Sequence, residues 1–235
     1  MNEDYAGRGG LGYNTNWRFY TKSITRVANA NYFGNMIVAE QFFKAELASN
    51  TDTTLHMYTG DMNGGVLGMC YFSFMYFPND TMHGCLINYQ AMVNGGASPY
   101  DSGQTATHEV GHHLGLYHVW QNKCGPRSDR VDDTPPQITN SRGCPDPIPE
   151  SCTPGLFDNI HNHMDYSDDD CRYQFTEGQS LRTDDIISTF HPGYLSENVR
   201  KAIREAVPNA WEEAESFQLK FGRKMGFPNP FLGHH

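Results

Sequence analysis

The sequence has no apolar run near the roughly 18 to 20 residues a helix needs to cross a bilayer, so no helical membrane span is expected. Bases are scarce: 17 Lys and Arg stand against 27 Asp and Glu, a net charge of −10. Without a basic face to neutralise phosphates, nucleic acid is not expected as a partner. No C-x-x-C pair occurs, so zinc-ribbon and thioredoxin-type readings have no support. Internal repeats and low-complexity tracts are missing too. The opening Met1-Asn2-Glu3-Asp4 is polar and does not read as a signal peptide.

The 235 residues are 38% hydrophobic and 19% charged, the balance of a folded chain. That length fits one large domain or two lobes around a shared core. Six cysteines lie at 70, 85, 124, 144, 152 and 171. Their even number and clustering suggest a local disulfide framework and an oxidising compartment; six buried thiols in a cytosolic protein are the alternative.

The patterning predicts a strand over Trp17–Ile24, a helix over Met36–Ala48 stopped near Asn50, and short strands at Leu55–Tyr58 and Leu67–Phe74. The glycine-rich turn Asp61–Gly65 separates those two, and Cys85–Met92 reads as a further strand. A helix follows from about Gln104 to Tyr117. From Gln121 to Ser167 the chain is rich in Pro, Gly, Asp and Asn, a length of loop that needs staples or bound metal to be ordered. Helices are expected again over Thr176–Phe190, where Thr176 and Gln179 suit a capping box, over Ser196–Val207, and, after Pro208, over Ala210–Lys224.

The string His108-Glu109-Val110-Gly111-His112-His113-Leu114-Gly115-Leu116-Tyr117-His118 carries the chemistry. His108 and His112 are four apart, so one helical face offers both imidazoles to the same ion. Gly115 can take positive φ and bend the chain so that His118 returns as a third ligand. A continued helix would instead carry His118 about 9 Å past His112 at ~1.5 Å per residue. Three protein ligands with one open position describe a catalytic zinc rather than a closed structural one. Glu109 can bind the metal's water rather than the metal. His113 faces away from the ligand side and reads as a surface or packing residue.

Further along stands Asn162-His163-Met164-Asp165-Tyr166. With the His108–His118 string, it resembles the metzincin metalloproteases, Met164 matching the methionine of the tight turn beneath the zinc. Ser128–Pro135, and Cys171 followed by Phe175-Thr176-x-x-Gln179, narrow the resemblance to the pappalysin family, over about residues 15 to 190. The resemblance implies an α+β, zincin-like fold, with a twisted mixed sheet plus active-site and backing helices in an upper lobe (about 1–117). An irregular, disulfide-linked lower lobe (about 118–191) completes the catalytic domain, and 192–235 forms a helical extension. The implied activity is zinc-dependent hydrolysis of peptide bonds in protein or peptide substrates. Glu109 is then the general base on the zinc-bound water, and Tyr166 helps bind the oxyanion. Tyr166 could equally pack in the turn.

The resemblance also implies a structural calcium on Asp129, the Val131 carbonyl, Thr134 and Gln137, a hard-oxygen set that suits calcium better than zinc. The residues alone also allow a solvated acidic loop. It implies the disulfides Cys124–Cys152 and Cys144–Cys171, which leaves Cys70–Cys85; four cysteines by themselves allow three connectivities. Asp170 matches an aspartate lining the pocket for the residue after the scissile bond. A partly desolvated carboxylate there would favour Arg or Lys in the substrate; a solvated acidic loop over Asp168–Asp170 is the alternative.

Secretion is expected on these grounds. Pappalysins place a strand and a helix before the stretch matching Met1–Ala6, and on that comparison this chain starts at the end of that helix, without an inhibitory prosegment. A truncated, non-catalytic zinc-binding remnant or interaction module is therefore the second reading. Glu109 argues against it, since a protein that only holds zinc needs no base there.

Overall fold

The computed structural model describes residues 1–206. A short helix α1 (Asn2–Tyr5) opens it, followed by α2 (Ala30–Gly34) and α3 (Met36–Leu47). Asn29 caps α2, its side-chain oxygen accepting from the Asn31 and Tyr32 amides. Three strands follow, β1 (Met57–Gly60), β2 (Gly68–Cys70) and β3 (Cys85–Asn88), in the order β1-β3-β2. β1 runs parallel to β3 and β2 antiparallel, so the sheet is mixed, as expected, and small.

β3 is buried along its whole length because both of its faces are covered. Its side chains alternate with period two. Cys85 and Ile87 join a cluster with Val110 of helix α4 (Gln104–His113) and Leu114 at its C-cap. Leu86 joins Met36, Ala39 and Phe43 of α3 on the opposite face. The sheet thus lies between α3 and α4. The α4 cluster also takes in Met164, Phe175 and Ile187, the last from α5 (Glu177–Phe190), so residues on either side of position 118 share one core.

Three disulfides pair Cys70 with Cys85, Cys124 with Cys152, and Cys144 with Cys171. The first joins facing residues of β2 and β3. The other two cross-link the irregular stretch, which contains no helix or strand between Gln121 and Ser167 apart from isolated bridges of Glu150 with Phe157 and of Asn162 with Gln174.

Several expectations shift, and the first two strands are among them: β1 begins at Met57 rather than Leu55, and β2 ends at Cys70 rather than Phe74. Trp17–Ile24 is no strand: the Asn2 side chain takes both the Phe19 N–H and C=O, the role a neighbouring strand would play. Trp17 and Phe19 still pack on the core, whereas Tyr20 and Ile24 are exposed. β3 ends at Asn88, whose side chain accepts from the Gln90 amide and turns the chain into a 3₁₀ turn, Tyr89–Ala91. α4 stops at His113, not Tyr117, at the Gly115 bend. α5 begins on the full capping box of Thr176 and Gln179. A 3₁₀ turn at Pro192–Tyr194 leads to α6 (Glu197–Ala206). The helix expected at Ala210–Lys224 lies outside the described residues.

Candidate active site

α4 supplies His108, Glu109 and His112 from buried positions, and its C-terminus is built to bring back His118. The Gly115 N–H bonds the His112 carbonyl and the Leu116 N–H the Gly111 carbonyl, both at 2.9 Å, the paired bonds of a Schellman turn. Gly115 has φ +105°, and a Cβ there would meet Ile186 of α5 at 2.8 Å. The same turn aims Leu116 O at His112, whose Nδ1–H donates to it at 2.8 Å.

The three ligand nitrogens converge. His112 Nε2 lies 3.0 Å from His118 Nε2, which lies 3.2 Å from His108 Nε2. His108 donates Nδ1–H to the carbonyl of His163 at 2.7 Å, as His112 does to Leu116, so in both rings the inward Nε2 carries the lone pair. Lone pairs this close repel unless a cation lies among them. Burial holds His112 down at about 4 and His108 well below the ordinary imidazole value, so both rings are neutral. The donor set fits zinc.

Glu109 is buried next to this triad, and burial pushes its carboxyl up to about 8 against the opposing pull of Arg172. Met164 is fully buried under α4: a Cβ on Gly111 would fall 2.5 Å from its sulfur. The Met164 N–H is held by Asn162 Oδ1 at 2.9 Å. Asn162 and Gln179 exchange side-chain amide bonds at 2.9 and 3.0 Å, tying this turn to the cap of α5. Tyr166 places its ring 5.5 Å from His108 and 4.9 Å from His118.

Asp129, Val131 and Thr134 come together: the buried Thr134 hydroxyl lies 2.8 Å from both Asp129 carboxylate oxygens and 3.0 Å from Val131 O. Burial raises the Asp129 carboxyl to about 6. Gln137 is buried but turned elsewhere, its Nε2 donating to Thr139 O and Asp165 and its Oε1 accepting from Asn159. Asp170 is exposed on the 3₁₀ turn Asp169–Cys171, not in the partly desolvated setting expected. Its neighbour Asp169 is the buried acid, paired with Arg172 at 2.6 Å.

The family model for peptidase M43, described as pregnancy-associated plasma protein-A, matches residues 59–188, which include this site. The chain belongs to the M43 (pappalysin) family of metalloproteases. Extracellular metalloprotease 1 of Coccidioides posadasii (strain C735) is 40% identical over 198 residues, covering 82% of this chain and 67% of its own length. An extracellular metalloprotease of Pyricularia oryzae (strain 70-15) is also 40% identical over 198 residues, with 82% and 66% covered. Among solved structures, Tannerella forsythia mature mirolysin in complex with a cleaved peptide matches with a TM-score of 0.56 and 34% identity over 63% of this chain and 58% of that one. The chain spans about two thirds of these curated relatives and less than that of the solved pappalysin.

Three contributors to this pappalysin site were not identified from sequence. Trp120 stacks on His118, centroids 4.3 Å apart and planes 7° from parallel. An aromatic two residues after the third histidine was the available signal. Arg172 is buried and donates to Asp165 O as well as pairing with Asp169. Gly68 of β2 leaves room for Glu109, since a Cβ there would lie 2.6 Å from its Cγ and 2.7 Å from Oε1.

Proposed function

We propose that this chain is a secreted zinc endopeptidase, with His108, His112 and His118 as the zinc ligands. The observation that carries this reading is the convergence of three buried imidazoles, with His118 Nε2 within 3.2 Å of both His108 Nε2 and His112 Nε2, and a buried carboxyl group one residue past His108 on the same helix. Membership of a metalloprotease family, and relatives named as extracellular, support it. Zinc bound there would supply a Lewis acid for the scissile carbonyl and acidify a water. Glu109 accepts the proton of the attacking water at its carboxylate and delivers it to the leaving amine. The Tyr166 hydroxyl donates to the oxygen that becomes negative during attack. Met164 shapes the floor without binding the metal.

The test compares hydrolysis of a denatured protein by wild type, by Glu109→Ala, and by wild type with a chelator. Loss of a proton-transfer residue is expected to cost at least about 10²-fold, and chelation to abolish turnover. Activity insensitive to both would falsify the mechanism. Folded, zinc-loaded protein that cleaves nothing would favour a non-catalytic module.

Two finer assignments belong to this reading. Asp129, Val131 O and Thr134 form the nucleus of a calcium site, with Gln137 required to turn its Oε1 to join them. Asp170 selects Arg or Lys after the scissile bond, since Asp169 is already taken by Arg172. Exposure of Asp170 makes this a modest preference, about 1 kcal/mol at most on the scale of solvent-exposed ion pairs. A peptide-library profile dominated by apolar residues at that position would rule it out.

A further inference from the structure

His113 is not a surface residue. One position past His112, it is turned about 100° round the helix, and its ring is completely buried. There it meets His83, from the loop before β3, and His191, which follows α5; both are buried as well. One ring nitrogen from each of the three lies within 4.8 Å of the other two.

The hydrogen bonds fix what each ring presents. His113 Nδ1 faces Tyr71 O at 3.0 Å, His83 Nε2 faces Phe77 O at 2.9 Å, and His191 Nε2 faces Thr51 O at 2.8 Å. A carbonyl only accepts, so each of these nitrogens carries the proton and each opposite nitrogen carries a lone pair. His83 Nδ1 and His191 Nδ1 are buried without a hydrogen-bond partner. His113 Nε2 lies 3.0 Å from the Tyr194 hydroxyl. Three imidazoles oriented by three backbone carbonyls, two of them with orphaned lone pairs, are the arrangement by which second-shell carbonyls set histidines for a metal. The neighbouring cation Lys44 is paired with Glu40 at 2.7 Å and donates to the carbonyls of Met82 and Gly84, and Asp52 contributes a negative charge beside His191 and Tyr194.

We propose that His83, His113 and His191 form a second, structural zinc site, with the Tyr194 hydroxyl in place to complete a tetrahedron. Imidazole nitrogens select a borderline transition ion over calcium or magnesium. Zinc bonds of about 2.0 Å set tetrahedral nitrogens about 3.3 Å apart, so the rings draw together on binding. The ion would cross-link the β2–β3 loop, the end of α4 and the end of α5. This site does not depend on the chain being a peptidase.

The test is metal stoichiometry on the full chain, stripped with a chelator, reloaded with zinc in calcium-containing buffer, and freed of excess metal. Wild type is expected to hold two zinc ions. His83→Gln and His191→Gln should each hold one, and His108→Gln/His118→Gln should retain one. Cobalt in that double variant should give the intense visible bands of tetrahedral coordination. One zinc per wild-type chain with none in the His108→Gln/His118→Gln variant overturns the proposal, as does a second zinc that persists in both His83→Gln and His191→Gln. Circular dichroism checks folding. If the single variants do not fold, wild type and the double variant decide, because both keep the proposed ligands intact.

Discussion

Glu109 owes its position to a residue that contributes no side chain. Gly68 faces it from β2, where a methyl group would overlap the Glu109 Cγ and carboxylate. Gly68→Ala should therefore displace the Glu109 carboxyl, the proposed base, while leaving the triad in place. The expected outcome is a fall in kcat of at least about tenfold, the scale of a small misplacement of a reacting group, with zinc content unchanged. Steady-state kinetics beside metal analysis check this; a variant with normal kcat would show that the carboxylate does not need that space. His108, His112 and His118 were legible in the sequence because their spacing is a property of one turn of helix and one bend. Gly68, Trp120 and Arg172 were not, because their roles arise from contacts between segments far apart in the chain. His83 and His191 were hidden for the same reason, and of the two readings of His113, surface or packing, burial favours packing, against partners that come from two other segments.

At the level of elements, α4 matters as much for where it stops as for what it carries. The Schellman bonds at Gly115 end the helix, orient His112 through Leu116 O, and leave Ile186 of α5 pressed against the glycine. Gly115→Ala meets both a left-handed backbone and a close contact. It should destabilise the fold by more than about 1 kcal/mol and weaken zinc binding by moving His118. Denaturant unfolding and competition with a chelator would measure the two effects; an unchanged zinc affinity would separate the bend from ligand placement. α3 and α5 were readable nearly to the residue because their apolar spacing and the Thr176–Gln179 cap are local signals. Trp17–Ile24 has strand-like alternation, yet alternation cannot reveal that the Asn2 side chain, rather than another strand, would satisfy its backbone.

For the molecule as a whole, the striplike sheet between α3 and α4 supplies the rigid half, and the stretch from Gln121 to Ser167 is held by other means. Two disulfides cross it, and buried polar groups fill it: Asp165 accepts from Ser141 and Gln137, and Asp129 from Thr134. If calcium completes the Asp129 cluster, withdrawing it with a calcium-selective chelator should lower Tm. A ligand at about 100 times its Kd contributes about 2.7 kcal/mol, equivalent to roughly 5 to 11 °C for a domain of this size. A Tm independent of calcium would remove the site. The mixed sheet and helical layers followed from the family resemblance, and the shared core that the chain length allowed is identified residue by residue only in the packing of Met164, Phe175 and Ile187 with α4.

The reciprocal amide pair of Asn162 and Gln179 makes the cap of α5 and the loop carrying Met164 two ends of one clasp. Neither can let go alone, since releasing the first turn of the helix strips Asn162 of the partner that holds it beside the Met164 amide. Fluctuations that fray this helix start are thereby felt at the base of the histidine triad, and solvent deuterium should reach both stretches at a common rate.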